Sequence, residues 1–284
     1  MDYYNRRPLK FHKDIPIFSE IDDYINNYFK ISSDHIESIT QKNNNPWIKQ
    51  WVLEEMEKST LRHVMNAISA TGKSPIKILD VGVGLGRLLD RISKNKKINQ
   101  SIDFYGMDIS LPYLDIAHSN GLNVAMAKIE DMPYINNYFD IITCTDVLEH
   151  VEDLNLCISK ILNCLKHGGV LIVRVPNRED LSAYLKTDYP YYFAHLRGFD
   201  EYSLELLFTR IFKLDLIDKS AGLYYENTKL LKYFPIHYLN LLIRGFLRSI
   251  KLFSKKLYLS LLPLFYHPTE INVVLRKPLQ IDGS

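Results

Sequence analysis

The sequence predicts an α/β protein: a doubly wound, mostly parallel sheet of seven strands, with a helical cover before it and a helical insertion near its end. Three observations predict it. Short apolar runs alternate with helix-period segments from about residue 76 onward, the pattern of βαβ units. The first of these runs leads into a glycine cluster that opens a helix. The chain, at 284 residues, is long enough to bury a full core of this kind and still carry additions.

Each element has its own signal. Residues 1–45 are rich in Asn, Asp, Ile and Tyr with weak periodicity, which predicts short helices and loops. Val52, Leu53, Met56, Leu61, Val64, Met65 and Ile68 recur at helical spacing, and Gly72 closes the pattern. Residues 1–72 therefore read as an N-terminal cover, in which Trp47 and Trp51 are expected either over a substrate or in the core. Lys73-Ser74-Pro75 is a turn. The core then spans 73–222, with strands at 76–81, 102–107, 124–128, 139–144 and 170–175. Helices are expected near 87–94, 114–119, 154–165 and 204–211. A sixth strand falls near 212–218, and a seventh at 271–276 within a final segment, 269–284. Between these last two lies an insertion, 223–268. Nothing repeats at solenoid periods.

Composition narrows the class. Net charge is +2 and 46% of residues are hydrophobic, which suits an ordinary globular protein and not a uniformly basic nucleic-acid binder. Cys144, Cys157 and Cys164 sit in apolar segments without metal-ligand spacing and read as buried hydrophobes of a reducing compartment. The N-terminus lacks the apolar core of a signal peptide, and no run reaches the ~18 apolar residues of a membrane span, so a cytoplasmic location is expected. The charge is uneven, however. Between Glu226 and Glu270 there is no acidic residue, while Lys229, Lys232, Arg244, Arg248, Lys251, Lys255 and Lys256 fall there, leaving the rest of the chain at −5.

The chemistry centres on Ile78-Leu79-Asp80-Val81-Gly82-Val83-Gly84-Leu85-Gly86, an apolar strand running into a turn whose glycines let backbone approach a ligand. The spacing Gly-x-Gly-x-Gly departs from the Gly-x-Gly-x-x-Gly of dinucleotide sites. Asp108 closes the second strand, 22 residues past Gly86, where a carboxylate can accept both ribose hydroxyls. A helix N-cap is its alternative role, although Ser110 could supply that cap instead. Further on come Met132-Pro133-Tyr134, Phe139-Asp140, Asp146-Val147-Leu148-Glu149-His150-Val151 and His167-Gly168-Gly169.

In these motifs and their order the chain resembles the Rossmann-like class I S-adenosylmethionine-dependent methyltransferases, especially the subgroup of ubiquinone-biosynthesis and surface-polysaccharide enzymes. The resemblance covers about 76–178, and 195–222 more loosely. It implies that Asp80, Gly82, Gly84 and Gly86 surround the methionine and sulfonium end of S-adenosylmethionine, that Asp108 binds the ribose and that Ile109 flanks the adenine. Lys128 stands where many relatives carry an Asp for the adenine amino group, and Glu130 is expected to take that role. A hydroxyl acceptor needs a base. His150, after the fourth strand, and His195, in the loop after the fifth, are the candidates, each with a structural role as its alternative. Asp146, Glu149 and His150 also resemble the acidic-x-x-Glu-His metal set of some ubiquinone and small-RNA 2′-O-methyltransferases, but the same letters occur in metal-free relatives and no metal is assigned.

The implied acceptor is a small or lipid-linked molecule, methylated on oxygen: a glycan-precursor sugar first, a quinone-like phenol second. A nicotinamide-dependent dehydrogenase and a non-catalytic cofactor-binding scaffold are the rivals. The glycine spacing argues against the first and the intact motif against the second. Within the insertion, Leu239, Leu242, Ile243, Phe246, Leu247, Ile250 and Phe253 fall on one helical face, with Asn240, Arg244, Arg248, Lys251 and Lys255 opposite. Such a helix over 236–256 predicts peripheral contact with an anionic membrane at its inner face, or a cap packed on the domain.

Overall fold

The computed structural model describes residues 2–40, 46–228 and 237–280. A sheet runs through its centre in the order β1-β2-β5-β4-β3-β6-β7-β9-β8. The strands are β1 (Lys10–His12), β2 (Ile15–Ile17), β3 (Ile76–Val81), β4 (Ile102–Asp108), β5 (Asn123–Met126), β6 (Phe139–Thr145), β7 (Leu165–Pro176), β8 (Asp215–Thr228) and β9 (Tyr266–Arg276). Strands β3 to β7 are parallel, while β9 is antiparallel to both neighbours. Because β3 to β7 are covered on both faces, their central residues form buried apolar runs.

One core layer packs α1 (Asp23–Thr40), α2 (Pro46–Thr71), α3 (Arg87–Ser93) and α4 (Leu111–Ser119) against the sheet, through Ile25, Val64, Ile68, Leu89 and Leu114. The other packs α5 (Leu154–Cys164) and α6 (Glu201–Leu206), with Ile158, Ile161, Leu204 and Phe208. Helix starts follow local chemistry: Asp153 accepts from Leu156 N–H at 2.9 Å, and Asp200 forms a capping box with Ser203.

The structure departs from expectation at both ends. Among the described residues the sheet has nine strands instead of seven, because residues 10–17 form a hairpin where loops and short helices were expected. Lys13 and Asp14 at its turn both take positive φ, and β2 joins the sheet beside β5 at Ile17↔Met126. Near the other end, β8 and β9 are longer than predicted, so the boundaries at 223 and 268 fall inside strands. The helices between them, α7 (His237–Phe253) and α8 (Lys255–Phe265), pack on each other through Ile243, Leu247, Tyr258, Leu261 and Phe265. The side chains of Trp47, Trp51, Leu239, Asn240, Arg244 and Lys255 lie outside the described part of the structure.

Candidate active site

The chain winds from β3 outward to β5, then returns to β6 on the other side of β3. A crevice opens at such a switch point, beyond the carboxyl ends of the strands. Gly82 and Gly84 flank it from β3, and Asp146 to His150 flank it from β6. Gly82 has φ 75°, and a Cβ there would meet Val147 Cγ2 at 2.2 Å. Gly84, at φ 51°, faces open space. The Gly84 N–H donates to Asp108 Oδ2 at 2.9 Å, and the Ser110 N–H donates to Oδ1 at 2.9 Å. Ser110 itself caps α4, so the Asp108 carboxylate is not used as a cap for that helix. Burial raises the Asp108 carboxyl above its ordinary range, against the pull of these N–H groups.

Two cavities meet here. The larger, about 350 Å³, is lined by Gly82, Gly84, Asp108, Ile109, Glu130, His150 and His195 among others. The smaller, about 230 Å³, is lined by Asp80, Arg87, Glu57 and Arg174, and shares Gly82, Gly84, Tyr113 and Asp146 with the first. Every sequence-predicted site residue except Gly86 thus borders one of the two. Gly86 lies behind them at the start of α3, with φ 77°, and a Cβ there would meet Leu122 Cδ1 at 2.2 Å. Its place is in the turn and its packing, away from the cavity walls. Asp80 is buried, accepts from Thr143 at 2.6 Å, and is pushed up to about 7 by that burial. Lys128 is committed elsewhere: it bonds Asp22 at 2.5 Å and lies over the Tyr24 ring, while Glu130 reaches the cavity.

The two histidines face each other with ring centroids 4.5 Å apart, but their settings differ. His150 Nδ1 lies 2.9 Å from the Tyr28 hydroxyl and 3.3 Å from the Ala194 carbonyl. Burial, and then the neighbouring His195, lower it to about 4, so it stays neutral near pH 7. His195 Nδ1 pairs with the Glu179 carboxylate, which also accepts from Tyr184 at 2.7 Å. Burial raises Glu179, yet the hydrogen bonds from His195 and Tyr184 outweigh it and hold the carboxyl low.

The three residues of the implied metal set, Asp146, Glu149 and His150, do not come together as a set. Glu149, His150 and His195 bring ligand atoms within 4.8 Å of one another, a donor set that could hold a divalent ion. Asp146 is not with them; the buried Arg174 guanidinium grips its carboxylate with two hydrogen bonds. Among the described residues, Glu149 has no hydrogen-bond partner on either carboxylate oxygen. Burial first, and the Asp146 charge next, push its carboxyl well above the usual range.

The methyltransferase-domain family matches residues 52–211, more than half of the chain. The chain belongs to that family. A ubiquinone biosynthesis O-methyltransferase of Coxiella burnetii is 32% identical over 149 residues, which are 50% of this chain and 60% of that protein. The chain thus spans less than two thirds of that relative. A second such enzyme, from Pseudomonas fluorescens, is 31% identical over 179 residues, 57% of this chain and 71% of the relative. Among solved structures, an S-adenosylmethionine-dependent methyltransferase of Thermotoga maritima superposes with TM-score 0.54 at 16% identity, covering 89% of this chain and 99% of that one, a likeness of fold.

Several residues of this candidate site were not singled out from sequence. Tyr24 and Tyr28 enter from α1, and the Tyr24 hydroxyl donates to the His150 carbonyl at 3.1 Å. Glu179 follows the carboxyl end of β7. A carboxylate just past a parallel strand was the available signal for it. Arg174 lay inside an apolar run, where a lone cation announces a buried partner.

Proposed function

We propose that the protein methylates a hydroxyl oxygen of a small or lipid-linked acceptor, with His195 as the base. The His195–Glu179 pair at the cavity wall carries this reading: a carboxylate on Nδ1 fixes the tautomer and leaves Nε2 as the acceptor of a proton. Bound S-adenosylmethionine supplies an electrophilic sulfonium methyl. In this reading Asp108 and Ile109 hold its ribose and adenine in the larger cavity, Glu130 meets the adenine edge, and the turn at Gly82 and Gly84 with Asp80 receives the methionine end toward the smaller one. His195 takes the hydroxyl proton as the acceptor oxygen is methylated, and Glu179 stabilises the imidazolium that results. His150 serves as a neutral wall, fixed by Tyr28. Orientation and exclusion of water supply much of the remaining acceleration.

The tyrosines beside the histidines favour a ring. Tyr24, Tyr28, Tyr189 and Tyr191 line the larger cavity, and Tyr24 and Tyr28 lie with centroids 5.0 Å apart. A phenolic acceptor therefore moves ahead of a glycan-precursor sugar, in line with the O-methyltransferase relatives. With S-adenosylhomocysteine release as the readout, a catechol should show a kcat/KM about two- to tenfold above that of a free sugar, the worth of one aromatic contact. Equal or reversed preference would return the sugar to first place.

A further inference from the structure

We propose that the α7–α8 hairpin docks the protein on an anionic lipid surface through its apolar tip, whichever hydroxyl is methylated. Strands β8 and β9 pair at Gly222↔Glu270 and on to Tyr224↔Pro268, past the Pro176↔Glu270 end of β7. The ribbon therefore overhangs the same edge of the sheet at which the cofactor crevice opens, and the hairpin grows from it. No helix among the described residues is long and apolar enough to cross a membrane, so the contact is with a surface.

Ile243 and Leu247 bury against α8, which accounts for only part of the apolar face of α7. Leu242, Phe246 and Phe253 recur along a neighbouring stripe and stay exposed. At the turn, where Ser254 alone separates the helices, Leu252 is 86% exposed and Phe253 90%, with Leu257 exposed beside them. Large apolar side chains held in water at the end of a projecting hairpin mark a site of contact. Charge identifies the partner. Arg248 and Lys251 are exposed just before the tip, the sequence places Lys255 and Lys256 just after it, and no acidic residue lies between Glu226 and Glu270. A second copy would bring the same cations face to face, whereas an anionic bilayer offers both an apolar interior for the tip and negative headgroups for its rim.

The test is sedimentation of the whole chain with vesicles of phosphatidylcholine alone or mixed with phosphatidylglycerol, at low and high salt. The wild type should sediment with the anionic vesicles and be released by salt. Leu252→Ser with Phe253→Ser, and separately Arg248→Glu with Lys251→Glu, should each weaken that binding at least tenfold while S-adenosylhomocysteine affinity, which reports an intact fold, stays unchanged. A wild type that remains in the supernatant overturns the proposal, as do variants that bind like wild type. A concentration-dependent dimer that loses its contact in the Phe253→Ser variant, without any vesicle binding, overturns it in favour of self-association.

Discussion

Replacing His195 by Gln should lower kcat by about 10²–10⁴-fold and leave cofactor affinity almost unchanged, because a positioned base contributes that much to proton transfer. The histidine borders the cavity but its partner is Glu179, not any group of the glycine turn. Glu179→Gln keeps the shape and removes the charge that supports the imidazolium, so kcat should fall by ~10–100-fold, the worth of a hydrogen bond to a charged group. His150→Gln should cost less than about tenfold, since burial already holds this ring neutral and away from the useful range for a base. Steady-state kinetics on the three variants, beside calorimetric titration with S-adenosylhomocysteine, separates the roles. A His150 variant more damaged than the His195 variant would exchange the two assignments.

Cofactor binding should depend on Asp108 and Gly84. On the proposed reading, Asp108→Ala removes an acceptor for two ribose hydroxyls, each worth roughly 1.5–3 kcal/mol, which amounts to at least ~10-fold in Kd per bond. It also frees the Gly84 and Ser110 N–H groups that the carboxylate now holds, loosening the turn. Gly84→Val adds a branched side chain at a positive φ and directs it into open cavity, so strain and blockage act together. Calorimetry with S-adenosylhomocysteine should find binding lost or weakened by orders of magnitude in both. Folded variants that bind as tightly as wild type would remove these two residues from the cofactor site.

How far the sequence could be read followed the physics of each segment. The strands from Ile76 to Val175 were legible because burial on both faces leaves long apolar runs with glycine or acidic punctuation. The N-terminal hairpin was not. Its strands are three residues each, too short for a period, and its turn is Lys13-Asp14 where Asn-Gly would have announced it. Helices were expected within 223–268, and α7 and α8 lie there, but the extensions of β8 and β9 were hidden by polar and aromatic residues that show no alternation. At the site, Gly82, Gly84, Asp108 and the two histidines could be named because each follows a strand end. Glu179 carried the same signal but was not singled out, and Tyr184 had none, for it joins His195 only through the folding of the loop after β7. The role of Asp146 also depended on the fold, since nothing local ties it to Arg174, 28 residues away.

The most direct measurement is the fate of a labelled methyl group. S-adenosylmethionine carrying a trideuteromethyl group is incubated with the protein and a catechol, and the product is examined by NMR. The account predicts one trideuteromethyl group on a ring oxygen, formed by the wild type and strongly reduced with His195→Gln. Label on nitrogen or carbon of any acceptor, or equal O-methylation by the His195 variant, would contradict it.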